Sequence, residues 1–189
     1  PENPILTKAD IQPSCPEWVV ECVLNPGAFR FDGKIWLLLR VAERPVQREG
    51  MVSFPVMNSN GHFRIMEFSK KDAALDLSDS RIVAYNGKSY LSTISHLRLV
   101  CSEDGVHFDE PQDISSHIFG QGILETFGIE DCRVSHIEGM YYLTYTQVSE
   151  NGVGVGLIRT ANWRKFCREG MILSPHNKDC ALFEEKIDG

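Results

Sequence analysis

The sequence predicts an all-β fold of the β-propeller kind, and three observations carry that prediction. First, a short phrase recurs four times: Phe31-Asp32-Gly33-Lys34-Ile35-Trp36-Leu37, Tyr85-Asn86-Gly87-Lys88-Ser89-Tyr90-Leu91, Ile137-Glu138-Gly139-Met140-Tyr141-Tyr142-Leu143 and Ile187-Asp188-Gly189. Its glycines stand at 33, 87, 139 and 189, in steps of 54, 52 and 50 residues. An apolar residue, then Asp, Asn or Glu, then Gly, is a tight turn feeding a strand. Second, two of these units close alike, on a polar turn followed by Phe: Asp104-Gly105-Val106-His107-Phe108 and Asn162-Trp163-Arg164-Lys165-Phe166. Third, no helical periodicity persists beyond about three turns. A unit of about 50 residues made of strands has the size of a propeller blade.

The elements follow in order. Residues 1 to 16 hold four prolines and read as an irregular lead-in. Trp18 to Leu24 is an apolar strand broken by Asn25-Pro26-Gly27. Ala28–Phe31 and Lys34–Val41 form a hairpin around Asp32-Gly33. Met51–Met57 and His62–Phe68 form another around Asn60-Gly61, completing a first blade. Ile82–Tyr85, Ser89–Ser95 and His96–Ser102 make a second blade. Cys132–Ile137, Tyr141–Gln147 and Val153–Thr160 make a third. Lys70–Leu77 is the best short helix candidate.

Propellers close with about four or more blades, because closure removes exposed strand edges. Three blades and an opened fourth hairpin predict that residues 1–189 form a single domain. That domain is expected to be the N-terminal part of a five-bladed propeller, truncated at its C-terminus. The edge so exposed suits a homo-oligomeric partner.

Composition narrows the function. A sequence 42% hydrophobic and 24% charged is not that of a disordered chain. The net charge of −7 argues against nucleic acid as a partner, because binding it needs cationic surface. No run of about 18 apolar residues suggests a membrane span, and no leader pattern opens the sequence. The six cysteines form no Cys-x-x-Cys pair and stand beside no His cluster, which disfavours zinc. They are expected as free buried thiols in a reducing compartment. The cytoplasm is the expected location, or the periplasm if a leader has been removed.

Three polar constellations carry chemistry. Gly128-Ile129-Glu130-Asp131-Cys132-Arg133 opens the third blade. Its two carboxylates alternate across a strand, so only one is expected on a given side. One carboxylate beside an Arg at the central channel suits a general acid or a substrate clamp; a capped turn with a surface ion pair is the plainer alternative. Pro175-His176-Asn177-Lys178-Asp179 offers donors, acceptors and a cation for sugar hydroxyls or an anion, or is simply a solvated loop. Arg40-Val41-Ala42-Glu43-Arg44 follows a strongly apolar run, where an inner ion pair is expected, and Asn25 lies one hairpin earlier. Gly152-Val153-Gly154-Val155-Gly156 lacks the Lys-Ser of a phosphate loop and reads as a flat strand crossing. Ser95 and His96 are strand neighbours and point apart. Trp36, Trp163 and Tyr141 are expected in the core.

Asn25-Pro26-Gly27, Leu38-Leu39-Arg40-Val41-Ala42-Glu43, Gly128-Ile129-Glu130-Asp131-x-Arg133, Asn177-Lys178-Asp179 and Phe183-x-Glu185-Lys186-Ile187 occur in this order. Together they resemble family 130 of the glycoside hydrolases, the β-mannoside phosphorylases and β-mannosidases, over nearly the whole chain. The Arg-Val-Ala-Glu form resembles the branch acting on β-1,2-linked mannosides. The resemblance implies a five-bladed propeller and inverting cleavage of a β-linked manno-oligosaccharide. Inorganic phosphate would be the co-substrate in a phosphorylase, with no metal or other cofactor. It implies that Asp131 is the proton donor, acting through a hydroxyl of the bound mannose, and that Asn25 and Arg40 hold the mannosyl unit. His176, Asn177 and Lys178 would lie near the incoming phosphate or water, and Glu43 and Arg133 would support the site. Many members have Pro where this chain has Cys132 and Glu184. A hydrolytic β-1,2-mannosidase and a non-catalytic propeller scaffold are the alternatives.

Overall fold

The structure is a computed structural model that describes residues 3–58 and 60–188, and it is all-β. Gly189, the last residue of the fourth repeat copy, lies outside the described residues. A 3-10 turn at Lys8–Asp10 interrupts the lead-in, capped by Thr7 and Asp10. The strands are β1 (Trp18–Phe31), β2 (Lys34–Pro45), β3 (Met51–Met57), β4 (Phe63–Ser69), β5 (Leu75–Asp76), β6 (Ile82–Tyr85) and β7 (Lys88–Leu91). They continue with β8 (Ile94–Ser102), β9 (His117–Ile118), β10 (Gly128–Ile137), β11 (Met140–Ser149), β12 (Gly152–Thr160) and β13 (Cys167–Leu173). The expected helix at Lys70–Leu77 does not form. Ser69 and Asp72 hold a turn there, and β5 follows.

The repeated phrase makes hairpin turns, as its composition demands. Both central residues have positive φ in each: Asp32 and Gly33 at 49° and 73°, Asn86 and Gly87 at 49° and 76°, Glu138 and Gly139 at 48° and 79°. That geometry matches the twist of the flanking strands and favours Asp-Gly and Asn-Gly sequences.

The hairpins do not all belong to equivalent units. β1, β2 and β8 pair antiparallel in sequence, with Leu38 opposite Leu99. The outer edge of β8 is covered by β9 and by an isolated bridge from Cys101 to Asp109. β10, β11, β12 and β13 form a second antiparallel unit. The hairpin around Gly87 lies elsewhere, in a small sheet of β5, β6 and β7 beside the β3–β4 hairpin. Residues 46–93 are thus an insertion between β2 and β8, with a small core of Val52, Phe54 and Val83. The four-stranded grouping recurs between Gly33 and Gly139, two steps of the phrase apart. The strands expected to form one second blade are divided between two sheets.

The main core lies between the two units. Trp36, Leu38, Leu97, Leu99, Ile129, Leu143, Ile158 and Trp163 are buried there. Phe29 stacks on Trp163 with ring centroids 4.0 Å apart. Fully burying a side chain of this kind contributes about 1.5–3 kcal/mol. A second cluster, Ile11, Val20, Leu39, Val41 and Val100, packs the lead-in against the opposite face of β1, β2 and β8. All six cysteines are free, as expected, but Cys22 and Cys167 are exposed and only Cys132 is fully buried. Among the described residues, no helix is long and apolar enough to cross a membrane.

Candidate active site

Two matching irregularities build the site. In β1, Leu24 pairs with Arg40 and Gly27 with Leu38, so Asn25 and Pro26 stand opposite Leu39 alone. In β10, Glu130 pairs with Thr146 and Arg133 with Thr144, so Asp131 and Cys132 stand opposite Tyr145 alone. Each is a β-bulge, which re-aims a side chain and disrupts the ladder locally. Asn25 and Asp131 take positive φ, 37° and 48°, at these bulges. Gly27 lets the two strands meet: a Cβ there would lie 3.0 Å from the Cys132 carbonyl oxygen.

The bulges aim both side chains at one point. Asn25 Nδ2 donates to Asp131 Oδ1 at 3.0 Å, and Arg40 Nη1 donates to the same oxygen at 3.0 Å. Arg40 Nη2 donates to Glu130 Oε1 at 2.7 Å, and its Nε to Ser95 Oγ at 3.1 Å. Ser95 Oγ donates in turn to Glu130 Oε1 at 3.3 Å. Asp131 Oδ2 accepts no hydrogen bond among the described residues, and the Asp131 side chain is 13% exposed. Asn25, Arg40 and Asp131 therefore converge as expected. The expectation that only one of Glu130 and Asp131 reaches this side is corrected. The bulge breaks the alternation, and both bind the same guanidinium.

The two carboxyls are pushed apart in acidity. Burial raises the pKa of Glu130, reinforced by the charge of Asp131 and opposed by Arg40, Ser95 and Lys178. Burial also acts upward on Asp131. There the hydrogen bonds from Asn25 and Arg40, with the charges of Arg40 and Arg133, outweigh it and hold the carboxyl below its ordinary range. Asp131 is an ionised, half-satisfied carboxylate with one oxygen free.

The remaining expected residues lie at varied distance from this point. Arg133 acts on Asp131 through its charge, and its Nη1 donates to the neighbouring Cys132 carbonyl at 3.4 Å. His176, Asn177 and Lys178 lie on an exposed loop after β13. Asn177 Nδ2 donates to the Ser174 carbonyl at 2.7 Å, the His176 ring packs over Gly152, and the Lys178 charge reaches Glu130. Glu43 does not belong to the cluster. It is fully buried on the other face of β2, because strand neighbours of opposite parity point apart. There it accepts from Ser14, His96 and Arg98. Ser14 and Glu43 meet the same His96 Nε2, so these three are no nucleophile–base–orienter chain. Glu184 accepts from the His136 backbone N–H at 2.8 Å and thus braces β10.

Two residues of the cluster, Ser95 and Glu130, are given no role by the sequence alone. Glu130 stood in a named motif, whereas Ser95 carries no local signal. A second buried network supports the approach to β10. Glu125 accepts from Tyr145 Oη, Gln147 Nε2 and Arg168 Nη1 at 2.7, 2.8 and 2.7 Å. Gly156 makes room for it, since a Cβ there would lie 2.6 Å from Tyr145 Oη. In the same glycine-rich stretch of β12, Gly152 lies under the His176 ring and Gly154 under the Met171 side chain. A cleft of about 980 Å³ lies at the far end of β1 and β2 and includes no residue of the Asp131 cluster. Among its carboxylates, Asp104 is engaged by His107 and Asp113 by Arg164. No group of three or more metal-ligating side chains occurs among the described residues.

Known proteins share this sequence and fold. The beta-1,2-mannobiose phosphorylase of Listeria innocua is 36% identical over 194 aligned residues, which cover all of this chain and 54% of that protein. The structure of the Listeria innocua enzyme in complex with beta-1,2-mannobiose matches with a TM-score of 0.89 at 34% identity, over 99% of this chain and 54% of that one. A 1,2-beta-oligomannan phosphorylase of Thermoanaerobacter sp. is 35% identical over 106 residues, 53% of this chain and 34% of that protein. The chain thus spans about half the length of the Listeria relative. The profile of glycoside hydrolase family 130, described as beta-1,4-mannooligosaccharide phosphorylase, matches residues 64–189. With that match over two thirds of its length, the chain is a member of glycoside hydrolase family 130.

Proposed function

We propose that the protein is an inverting enzyme that cleaves β-1,2-mannosidic linkages by phosphorolysis, releasing mannose 1-phosphate. The observation that carries this reading is the meeting of Asn25 and Arg40 on one oxygen of Asp131, with its second oxygen free. The phosphorylases of Listeria and Thermoanaerobacter support it, being named for β-1,2-linked mannosides. The family description names the β-1,4 linkage, but the relative aligned over the whole chain is the stronger guide.

In this reading the two four-stranded units are neighbouring blades of a five-bladed propeller, and the insertion of residues 46–93 belongs to the first. The whole forms one domain, extending beyond this chain. The bonds that Asn25 and Arg40 give to Asp131 pass to hydroxyls of the mannosyl unit. Burial then acts on Asp131 without those two hydrogen bonds, opposed only by the charges of Arg40 and Arg133, and moves it toward the protonated form. The carboxylic acid donates its proton toward the leaving oxygen through a mannose hydroxyl. Inorganic phosphate attacks the opposite face of the anomeric carbon, so configuration inverts and no carboxylate base is required. His176, Asn177 and Lys178 line the phosphate side, and Arg133 adds positive charge near Asp131. No metal or organic cofactor is used. The protein works in the cytoplasm, where phosphate is plentiful, as a homo-oligomer.

The test is product analysis of the intact protein on β-1,2-mannobiose with and without inorganic phosphate. Mannose 1-phosphate formed only with phosphate is the expected result. Free mannose formed regardless of phosphate overturns phosphorolysis in favour of hydrolysis. No cleavage of any β-mannoside leaves the scaffold reading.

A further inference from the structure

Ser95 is the second residue of β8, on the face that carries Arg40, and it is 2% exposed. Its backbone pairs with Gly128, the single parallel bridge between β8 and β10 and so the joint between the two four-stranded units. A Cβ on residue 128 would lie 2.3 Å from the Ser95 carbonyl oxygen and 2.9 Å from its nitrogen, so only glycine permits this approach. The approach brings Ser95 Oγ to Glu130 Oε1, while the same hydroxyl accepts from Arg40 Nε. Arg40 is gripped at all three nitrogens, by Ser95, Glu130 and Asp131, and none of these partners lies on its own strand.

A guanidinium is planar, with its donors in a fixed fork. Holding Nε and Nη2 therefore fixes the direction in which Nη1 points, and Nη1 is the donor that meets Asp131. We propose that Ser95 and Glu130 are positioning residues for Asp131, acting through the plane of the Arg40 guanidinium. The proposal rests on the reading of Asp131 as the proton donor. Neither residue needs to meet the reacting atoms. The role at 95 demands a hydroxyl, because the group accepts from Arg40 and donates to Glu130 at once. The role at 130 demands an anion, because two carboxylates then share one cation and neither is fully neutralised. The groups facing Asp131 are Asn25 from β1, Arg40 from β2, Glu130 and Arg133 from β10, and Lys178, through Glu130, from the loop after β13.

A serine that merely satisfied a buried joint would affect folding alone. A positioning role has a separate signature in the titration of Asp131. Glu130→Gln removes a neighbouring negative charge, so Asp131 gives up its proton more readily and titrates at lower pH. Ser95→Ala frees Arg40 to swing, weakens its hold on Asp131 and moves the titration to higher pH. The opposed directions separate geometry from general loosening.

The experiment uses the intact protein as wild type, Ser95→Ala, Ser95→Thr and Glu130→Gln. Asp131 is followed by carbon-13 NMR of its carboxyl, and turnover of β-1,2-mannobiose is measured at saturating phosphate. Expected are opposed shifts in the two titrations and a tenfold to hundredfold loss of kcat with KM within about threefold, the scale set by about 1 Å of misplacement. Ser95→Thr keeps the hydroxyl and is expected to restore the wild-type titration. Should Ser95→Ala fail to fold, the kcat of Glu130→Gln decides, and an unchanged value overturns the proposal. Titrations that do not move, or kcat unchanged in both loss variants, overturn the proposal. A wild type that cleaves no β-mannoside, with the titrations still opposed, sinks the assigned reaction and leaves the positioning intact.

Discussion

Asn25 and Asp131 occupy the same place in two different strands and hydrogen-bond to each other at 3.0 Å. Each sits on a β-bulge of a strand that leads, eight residues later, to the glycine of a hairpin turn, Gly33 or Gly139. The site is thus made where two copies of one structural irregularity face each other. The fold brings the two strands together and the irregularity supplies the chemistry.

Replacing Asp131 by Asn keeps the shape and the contact with Asn25 but removes the transferable proton. Turnover is expected to fall by about 10²–10⁴, the usual contribution of a general acid. Mannobiose affinity should stay within a few-fold, measured by calorimetry on the same preparation. Retained turnover would take Asp131 out of the role of acid.

The pH profiles of kcat and kcat/KM should differ. A proton donor must be protonated, so activity is lost as pH rises through its pKa. In the free protein Asp131 lies below the ordinary carboxylate range, because the bonds from Asn25 and Arg40 outweigh burial. The profile of kcat/KM reports that state, and kcat reports the sugar complex. At saturating phosphate the alkaline limb of kcat is therefore expected at higher pH than that of kcat/KM. Coincident limbs would mean that the sugar does not take over those two donors.

Glu43 is fully buried against Arg98 and His96, on the face of β2 away from Asp131. Removing one partner of a buried ion pair costs about 3–5 kcal/mol, because the other charge is stranded. Glu43→Gln is expected to lower thermal stability on that scale while the folded fraction keeps its kcat/KM. A selective loss of kcat/KM with stability intact would return Glu43 to the substrate site.

His117 links stability to pH. Burial, helped by the charges of Arg98 and His96, lowers its pKa to about 4 from the ordinary 6.5. Between those values the unfolded chain binds the extra proton and the folded chain does not. Stability from this group is thus complete above about pH 6.5 and declines as pH falls toward 4. His117→Gln is expected to flatten the denaturation midpoint across that window; an unchanged slope would assign it to other groups.

Two glycines of the same chain should respond very differently to alanine. At Gly139 the new Cβ meets nothing within 4 Å, and only the positive φ of 79° opposes it. The cost there is about 1–2 kcal/mol. At Gly128 the Cβ would strike the backbone of Ser95. Gly128→Ala is expected to lose about 3 kcal/mol or more, combining strain with a clash, and to disturb Arg40 as well. Equal melting temperatures for the two variants would mean that the joint between the units is not tight.

The sequence alone determined the local elements. Asp-Gly, Asn-Gly and Glu-Gly between alternating apolar residues specify hairpin turns at Gly33, Gly87 and Gly139, because φ at two adjacent residues settles the turn. It also marked Asn25, Arg40 and Asp131 as chemistry-bearing, through residue type and family resemblance. Tertiary structure decided which hairpins are equivalent. Ile94–Ser102 passes over its nearest neighbour in sequence to pair with β2, since burying Leu97 and Leu99 beside Leu38 outweighs the short connection. Tertiary structure also decided which face each polar residue serves. Strict alternation sends Glu43 away from the site, and a bulge lets Glu130 and Asp131 share it. Ser95 was illegible in sequence because its role exists only where a second strand, brought in by Gly128, comes within reach. Turns are local and are written in neighbouring residues; register, bulges and strand partners are settled by the packing of segments distant in the chain.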